Sequence, residues 1–466
     1  MTTLERLESR KLLSSDFVID WNNVAIDVLR ADTTLPGPGF SSRSLAIVQG
    51  AVFDTVNGFA RTYDSIEFNA SAPNGADMNA AIAAAAHGVL SELYPAQRAS
   101  LDQKLQQSLA EVPNGSGERK GVQYGAKAAE KWIHERRNDG AGDVVDYQVN
   151  PAPGHWQPDP MNSGQTAWGA GWGAVDTFAL RSGDQFLPPH PPAMTSAQYA
   201  ASFNEVKSLG GDGVTTPTAR TPEQTQIGLF WAYDRGGTGT PPALYNQVAQ
   251  VIAANHNNTP VQNARLFALV NLAQADAGIT SWDCKFKEDL WRPITAIRRG
   301  AEDGNAATDA DPTWTPLGAP GNGTTVPNFT PPFPAYVSGH ATFGAAAFRA
   351  IARFYGTDTM NFTLHSDELP GVTRSYTSLS QAAAENARSR IYLGIHWNFD
   401  DVEGRGLGVQ VGDWVFDHVA RPRNHGGGGG GPHMNEIDSV FGQQNIGTTR
   451  KLIDDTPLGE TKLELV

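Results

Sequence analysis

The sequence predicts an all-α protein, predominantly helical, with two packed helical bundles and long Gly/Pro-rich loops. Three observations carry this. Apolar residues recur at helical spacing in Ser44 to Ala60, Ala76 to Tyr94 and Val261 to Thr280. The apolar/polar alternation of half-buried strands is scarce. Between the periodic segments run Gly/Pro-rich stretches, Arg137 to Gln165 and Glu302 to Pro334, and ordered loops of that length in compact proteins usually serve function.

With 466 residues, 40% hydrophobic and 18% charged, the chain can bury a large core, and its length allows up to about three domains. The helical patterns suggest an N-terminal helical half over 1–216 and a C-terminal helical half over 217–425. A Gly-rich extension over 426–466 follows, beginning with six consecutive glycines. Such a run holds no single backbone conformation without outside support, so a mobile or wrapped tail is expected.

Composition excludes several function classes. The 49 acidic residues outnumber the 35 Lys plus Arg, for a formal charge of −14. That argues against nucleic-acid binding driven by phosphate neutralisation, so any anion site must be local. The opening "MTTLERLESRKLLSSDFVIDW" has no apolar run long enough for a secretory signal, and nowhere do about 18 apolar residues follow one another. A soluble, cytoplasmic protein without membrane contact is expected. The single cysteine, Cys284, rules out an intrachain disulfide and a Cys-based zinc cluster, which leaves histidine, carboxylate and cationic chemistry.

Three segments supply that chemistry. In "FPAYVSGHATFGAAAF", Ser338 is a good N-cap, Gly339 permits close approach of a backbone N–H, and Ala341 to Phe354 read as the following helix. The helix N-terminus favours an anion, and His340 on the first turn could exchange protons with it. An isolated Ser-Gly-His is more often an ordinary cap. In "WDCKFKEDLWRPITAIRRG", Lys285 and Arg292 are about two helical turns apart, which predicts both cations on one helical face before Pro293. A solvated cationic face is the plain alternative, but the surrounding Trp282, Phe286, Leu290 and Trp291 favour burial. In "ENARSRIYLGIHWNFDDVEGRGLG", His396 and Asp400 have the spacing at which a carboxylate holds an imidazole on one helical face. Gly404, Gly406 and Gly408 are expected to admit a neighbouring helix. Together Lys285, Arg292 and Arg390, one helix N-terminus and two histidines suit a tetrahedral oxyanion held without a divalent metal.

At these residues the chain resembles the superfamily of vanadium-dependent haloperoxidases, phosphatidate phosphatases and bacterial acid phosphatases. Its signature, Lys-x6-Arg-Pro, Pro-Ser-Gly-His and Ser-Arg-x5-His-x3-Asp, is matched in order at Lys285 to Pro293, Val337 to His340 and Ser389 to Asp400. Val337 replaces the usual proline, which alters loop stiffness but removes no donor. Further similarity in "FWAYDRGGTGTPPALYNQV" and "PPFPAYVSGHATFG" points to the haloperoxidase branch, over roughly the C-terminal half.

The resemblance implies vanadate, replaceable by phosphate, bound through His396. Lys285, Arg292, Ser338, Gly339 and Arg390 would hold its oxygens. His340 would be the acid/base and Lys285 would polarise the activated peroxide. Asp400 would orient His396, and Asp234 would pair with Arg390. Trp282 and Phe333 would line the halide pocket, with phenylalanine at 333 pointing to chloride as well as bromide. Hydrogen peroxide, halide and an organic small molecule are the implied partners, and the family includes homo-oligomers. Phosphomonoester hydrolysis through a phosphohistidine at His396 uses the same anion ligands and stays open at this point. So does noncatalytic oxyanion binding.

Overall fold

A computed structural model describes residues 16–32, 37–320 and 329–423. The extension expected over 426–466 lies outside the described residues. The described chain is mostly α-helical, with thirteen helices and one two-stranded antiparallel sheet.

The N-terminal helices are α1 (Phe17–Ala31), α2 (Pro38–Ala60), α3 (Met78–Leu93), α4 (Arg98–Ala110) and α5 (Ser116–Glu135). Local chemistry sets their starts. Asp16 caps α1 by accepting the Val18 amide at 2.9 Å, and Asp77 caps α3 through Ala80. Helix α2 begins earlier than the periodicity suggests, because Pro38 stands in its first turn, where a missing N–H costs nothing.

After the long loop come α6 (Ala197–Leu209), α7 (Pro222–Phe230), α8 (Thr240–Asn255) and α9 (Pro260–Glu288). Helix α9, 29 residues long and buried over most of its length, is the spine. It packs on α2 from the N-terminal half and on α11 (Gly339–Tyr355) from the C-terminal half. One apolar core cluster therefore draws on residues from Phe17 to Ala420.

The loop preceding α6 is pinned to this spine. Asp276, buried in α9, accepts the amides of Phe178, Ala179 and Leu180 at 2.6 to 2.8 Å. Nearer the site, the Trp156 amide donates to the Asp289 carbonyl at 2.8 Å and the Trp291 amide to the Gly154 carbonyl at 3.0 Å. The glycine- and proline-rich composition thus builds a fixed wall.

Beyond the spine, α10 (Pro293–Arg298) is short. After α11 comes the hairpin of β1 (Thr359–His365) and β2 (Thr373–Ser378), with Phe362 opposite Tyr376. Then follow α12 (Leu379–Tyr392) and α13 (Asn398–His418). Helix α13 lies along α11 through glycines four residues apart. A Cβ at Gly404, Gly408 or Gly412 would come within 2.9, 2.3 and 2.9 Å of the Ser338, Thr342 and Ala346 carbonyl oxygens. The expected helix approach therefore holds for Gly404 and Gly408 but not for Gly406, which faces open space. Gly412 extends the stripe. Among the described residues no helix is long and apolar enough to cross a membrane.

Candidate active site

The first turn of α11 is built as its sequence suggests. Ser338 has extended backbone angles, and its hydroxyl accepts the Ala341 amide at 3.4 Å. The helix starts at Gly339, earlier than the expected Ala341. The Ser338 amide donates outside the helix, to the Asp400 carbonyl at 3.1 Å. Buried His340 has Nε2 at 2.8 Å from the Ala232 carbonyl. A carbonyl only accepts, so Nε2 carries the hydrogen and Nδ1 is the basic nitrogen. Burial, reinforced by the Arg390 charge, pulls His340 well below the usual histidine range. It is held neutral.

Lys285 and Arg292 do not share a helical face. Helix α9 stops at Glu288, Asp289 takes a left-handed φ of 50°, and Arg292 becomes the N-cap of α10. The turn brings the two side chains to the same place by another route. Arg292 Nε donates to the Phe333 carbonyl at 2.8 Å, and Nη1 to the Ile395 carbonyl at 2.8 Å and to His396 Nε2 at 2.9 Å. Burial lowers Arg292 to about 9, which leaves it charged at neutral pH. Arg390, at the end of α12, donates through Nη2 to Asp234 at 2.6 Å and through Nη1 to the Ala232 carbonyl at 3.4 Å. Burial pushes Asp234 upward against the pull of Arg390.

Lys285 is fully buried and donates to the carbonyls of Pro334, Ala335 and Val337 at 3.1, 3.0 and 2.5 Å. Burial and then the Arg292 charge push it well below the ordinary lysine range. Three carbonyl acceptors nevertheless require three N–H donors, which only the ammonium supplies. Its charge fastens the loop that leads into Ser338.

His396 and Asp400 pair as expected, but not on one helical face. His396 precedes α13, whose N-cap is Trp397. Asp400 sits in the first turn and reaches back, accepting from the Trp397 amide at 3.1 Å and from His396 Nδ1 at 2.8 Å. Nδ1 therefore carries the hydrogen and Nε2 the lone pair, as the Arg292 donor also requires. Burial and then the Arg292 and Lys285 charges lower His396 well below its usual range, while burial raises Asp400.

Two polar residues missing from the sequence reading hold His340. Asn386 Nδ2 donates to its carbonyl at 2.8 Å, and the Tyr245 hydroxyl donates to Asn386 Oδ1 at 2.9 Å. Trp282 and Phe333 meet at 4.8 Å between ring centroids, and both line a cavity of about 150 Å³ with His340, His396, Arg390 and Asp234. Gly37, Pro38 and Trp168, from the N-terminal half, complete it. Their contribution was not visible in the sequence, since no motif or spacing links them to the later segments.

The arrangement fits an oxyanion. Arg292 Nη2 and Arg390 Nε are buried without a hydrogen-bond partner, and the first amides of α11 have no intrahelical acceptor. Among the described residues no group of three or more His, Cys, Asp or Glu side chains could cage a metal cation.

The chain matches two family models, one described as the vanadium chloroperoxidase N-terminal domain over residues 4–165 and one as the VCPO second helical-bundle domain over 265–425. It is 30% identical to the vanadium chloroperoxidase of Curvularia inaequalis, over 87% of this chain and 82% of that one. The crystal structure of a bacterial vanadium-dependent iodoperoxidase superposes with a TM-score of 0.72 at 25% identity, covering 87% of this chain and 98% of the other. A holo-type bacterial vanadium-dependent chloroperoxidase gives 0.64 at 18% identity, covering 84% and 95%, a likeness of fold.

Proposed function

The chain belongs to the vanadium-dependent haloperoxidases, which use vanadate and hydrogen peroxide to oxidise halide, and from that premise we propose that it oxidises bromide and chloride. The observation that carries the site assignment is the pair of unpartnered guanidinium nitrogens, Arg292 Nη2 and Arg390 Nε, beside an imidazole whose lone pair Asp400 directs to Nε2.

When bound, vanadate supplies a Lewis-acid centre that activates peroxide towards halide. The chain's residues do the rest. Arg292, Arg390, the Ser338 hydroxyl and the Gly339 amide would hold the anion's oxygens, and His396 Nε2 would be its protein ligand once Arg292 Nη1 gives up the lone pair it now occupies. His340 Nδ1, neutral through burial, takes a proton as peroxide enters and returns one as the oxidised halide leaves. Lys285 must release one of its three carbonyls to reach an oxygen. Asp234 positions Arg390. Trp282 and Phe333 give the halide an apolar wall near two cations, and the phenylalanine at 333 supports chloride as a substrate.

The test is to strip the protein of anions, titrate orthovanadate, and follow bromination and chlorination of an activated diketone with hydrogen peroxide. A phosphate monoester assay runs in parallel. Saturable vanadate-dependent halogenation is expected, and the bromide to chloride ratio tests Phe333. Ester hydrolysis inhibited by vanadate, without halogenation, would make the pocket a phosphatase.

A further inference from the structure

The cavity lining has two unlike components. It joins the ionic groups His340, His396, Arg390 and Asp234 to the aromatic rings of Trp168, Trp282 and Phe333, and those three rings contact one another. Like Phe333, and unlike buried Trp282, Trp168 is half-buried. Its backbone amide donates to the Pro332 carbonyl at 2.8 Å, and its ring meets Trp282 edge-on at 5.2 Å and Phe333 at 6.2 Å. Gln165, three residues earlier, donates to the Thr330 carbonyl at 2.8 Å, so the segment is fastened on the pocket side. The ring also packs on Gly37, another residue of the cavity lining, where a Cβ would come within 2.2 Å of it. An indole held this firmly in the cavity lining is a fixed surface for a ligand.

We propose that Trp168 is a specificity-determining residue: with Trp282 and Phe333 it holds a neutral, single-ring aromatic substrate over the oxyanion site, so that halogenation takes place in the pocket instead of on freely diffusing molecules. This rests on the haloperoxidase reading above. The cavity of about 150 Å³ also takes the oxyanion, so the room left beside the rings admits no more than a single ring, since an apolar cavity of that full size holds one benzene. Offset and edge-on ring contacts stabilise such a ligand on this wall. Lys285 and Arg292 lie 5.2 and 4.9 Å from the Phe333 ring, but they are committed to carbonyls, His396 and the oxyanion, and the bound oxyanion would repel an anionic ring. The chemistry balances with reactants already named. Halide, hydrogen peroxide and a proton give hypohalous acid and water. The ring then attacks the halogen, a carbon–halogen bond forms, the ring loses a proton, and the oxygen leaves as a second water.

The experiment is an internal competition under bromide and peroxide between dimethoxybenzene and its ring-sulfonated analogue. The product ratio is divided by the ratio that reagent hypobromous acid gives in the same buffer. Because both acceptors share one reaction, the amount of oxidant formed cancels. The vanadate-loaded enzyme is expected to favour the neutral ring over the reagent by about tenfold, the scale of ring contacts together with ring burial. Trp168→Ala should return the ratio to within about twofold of the reagent, while Trp168→Phe, which keeps a ring, should retain most of the preference. Saturation-transfer NMR on the vanadate-free protein should detect bound dimethoxybenzene, and less of it in Trp168→Ala. A wild-type ratio equal to the reagent's, or a Trp168→Ala ratio equal to wild type, overturns the proposal and leaves the haloperoxidase reading intact. Absence of any vanadate-dependent bromination overturns both.

Discussion

Asp400 reaches back from the first turn of α13 to hold Nδ1 of His396 at 2.8 Å, although His396 lies outside that helix. One carboxylate oxygen receives both the imidazole N–H and the Trp397 amide. The tautomer of the proposed metal ligand is thereby fixed by the same group that caps a helix.

Replacing Asp400 with asparagine removes the charge and keeps the size. Vanadate affinity should fall about 10- to 100-fold, the usual loss when the partner of a ligating histidine is changed. Equilibrium dialysis measures this, and an unchanged affinity would remove Asp400 from the site.

The two histidines should separate cleanly. His396→Ala is expected to abolish vanadate binding. His340→Ala should retain binding and lose about 10²- to 10⁴-fold in turnover, the range for a missing acid/base group. Vanadium content after gel filtration, set against bromination rate, distinguishes them. Loss of binding in both variants would contradict the assigned division of labour.

Neutral burial of His340 has a signature in stability. Its folded pKa lies below the unfolded value of 6.5. Above that pH neither state is protonated and nothing is lost. As pH falls through 6.5 the unfolded chain takes up the proton first, so stability drops until the folded pKa is reached. In anion-free protein, wild type should lose about 1.4 kcal/mol per pH unit more than His340→Gln across that window. Denaturant melts at pH 7.5, 6.0 and 5.5 test it, with about these pH values chosen to bracket the unfolded histidine. Parallel curves would mean that His340 titrates normally.

Two glycines on α13 give opposite expectations. At Gly408 a new methyl would sit 2.3 Å from the Thr342 carbonyl oxygen, whereas Gly406 has nothing within 4 Å. Gly408→Ala should destabilise by about 1–3 kcal/mol or more. Gly406→Ala should stabilise by about 0.5–1 kcal/mol, since it only improves helix propensity. Chemical denaturation of both variants reads the difference, and equal effects would contradict the close α11–α13 contact.

Local features were legible in the sequence, and contacts between distant segments were not. The cap at Ser338 and the helix after it depend on neighbouring residues, and both appear. Lys285 with Arg292, and His396 with Asp400, were rightly grouped but wrongly explained by helical spacing. Asp289 breaks the first pair's helix, and the second helix, capped by Trp397, starts two residues too late to include His396. Trp168 was missed because its partner, the Pro332 carbonyl, lies far along the chain. Asn386 and Tyr245 were missed for the same reason, since both serve His340 across the fold.

The hydrogen bond from the Ser338 amide to the Asp400 carbonyl joins the turn that presents His340 to the turn that orients His396. The two turns therefore brace each other. A backbone disturbance at either one reaches both, so substitutions that break this bond, unlike truncation of the His340 side chain alone, should impair proton transfer and anion retention together.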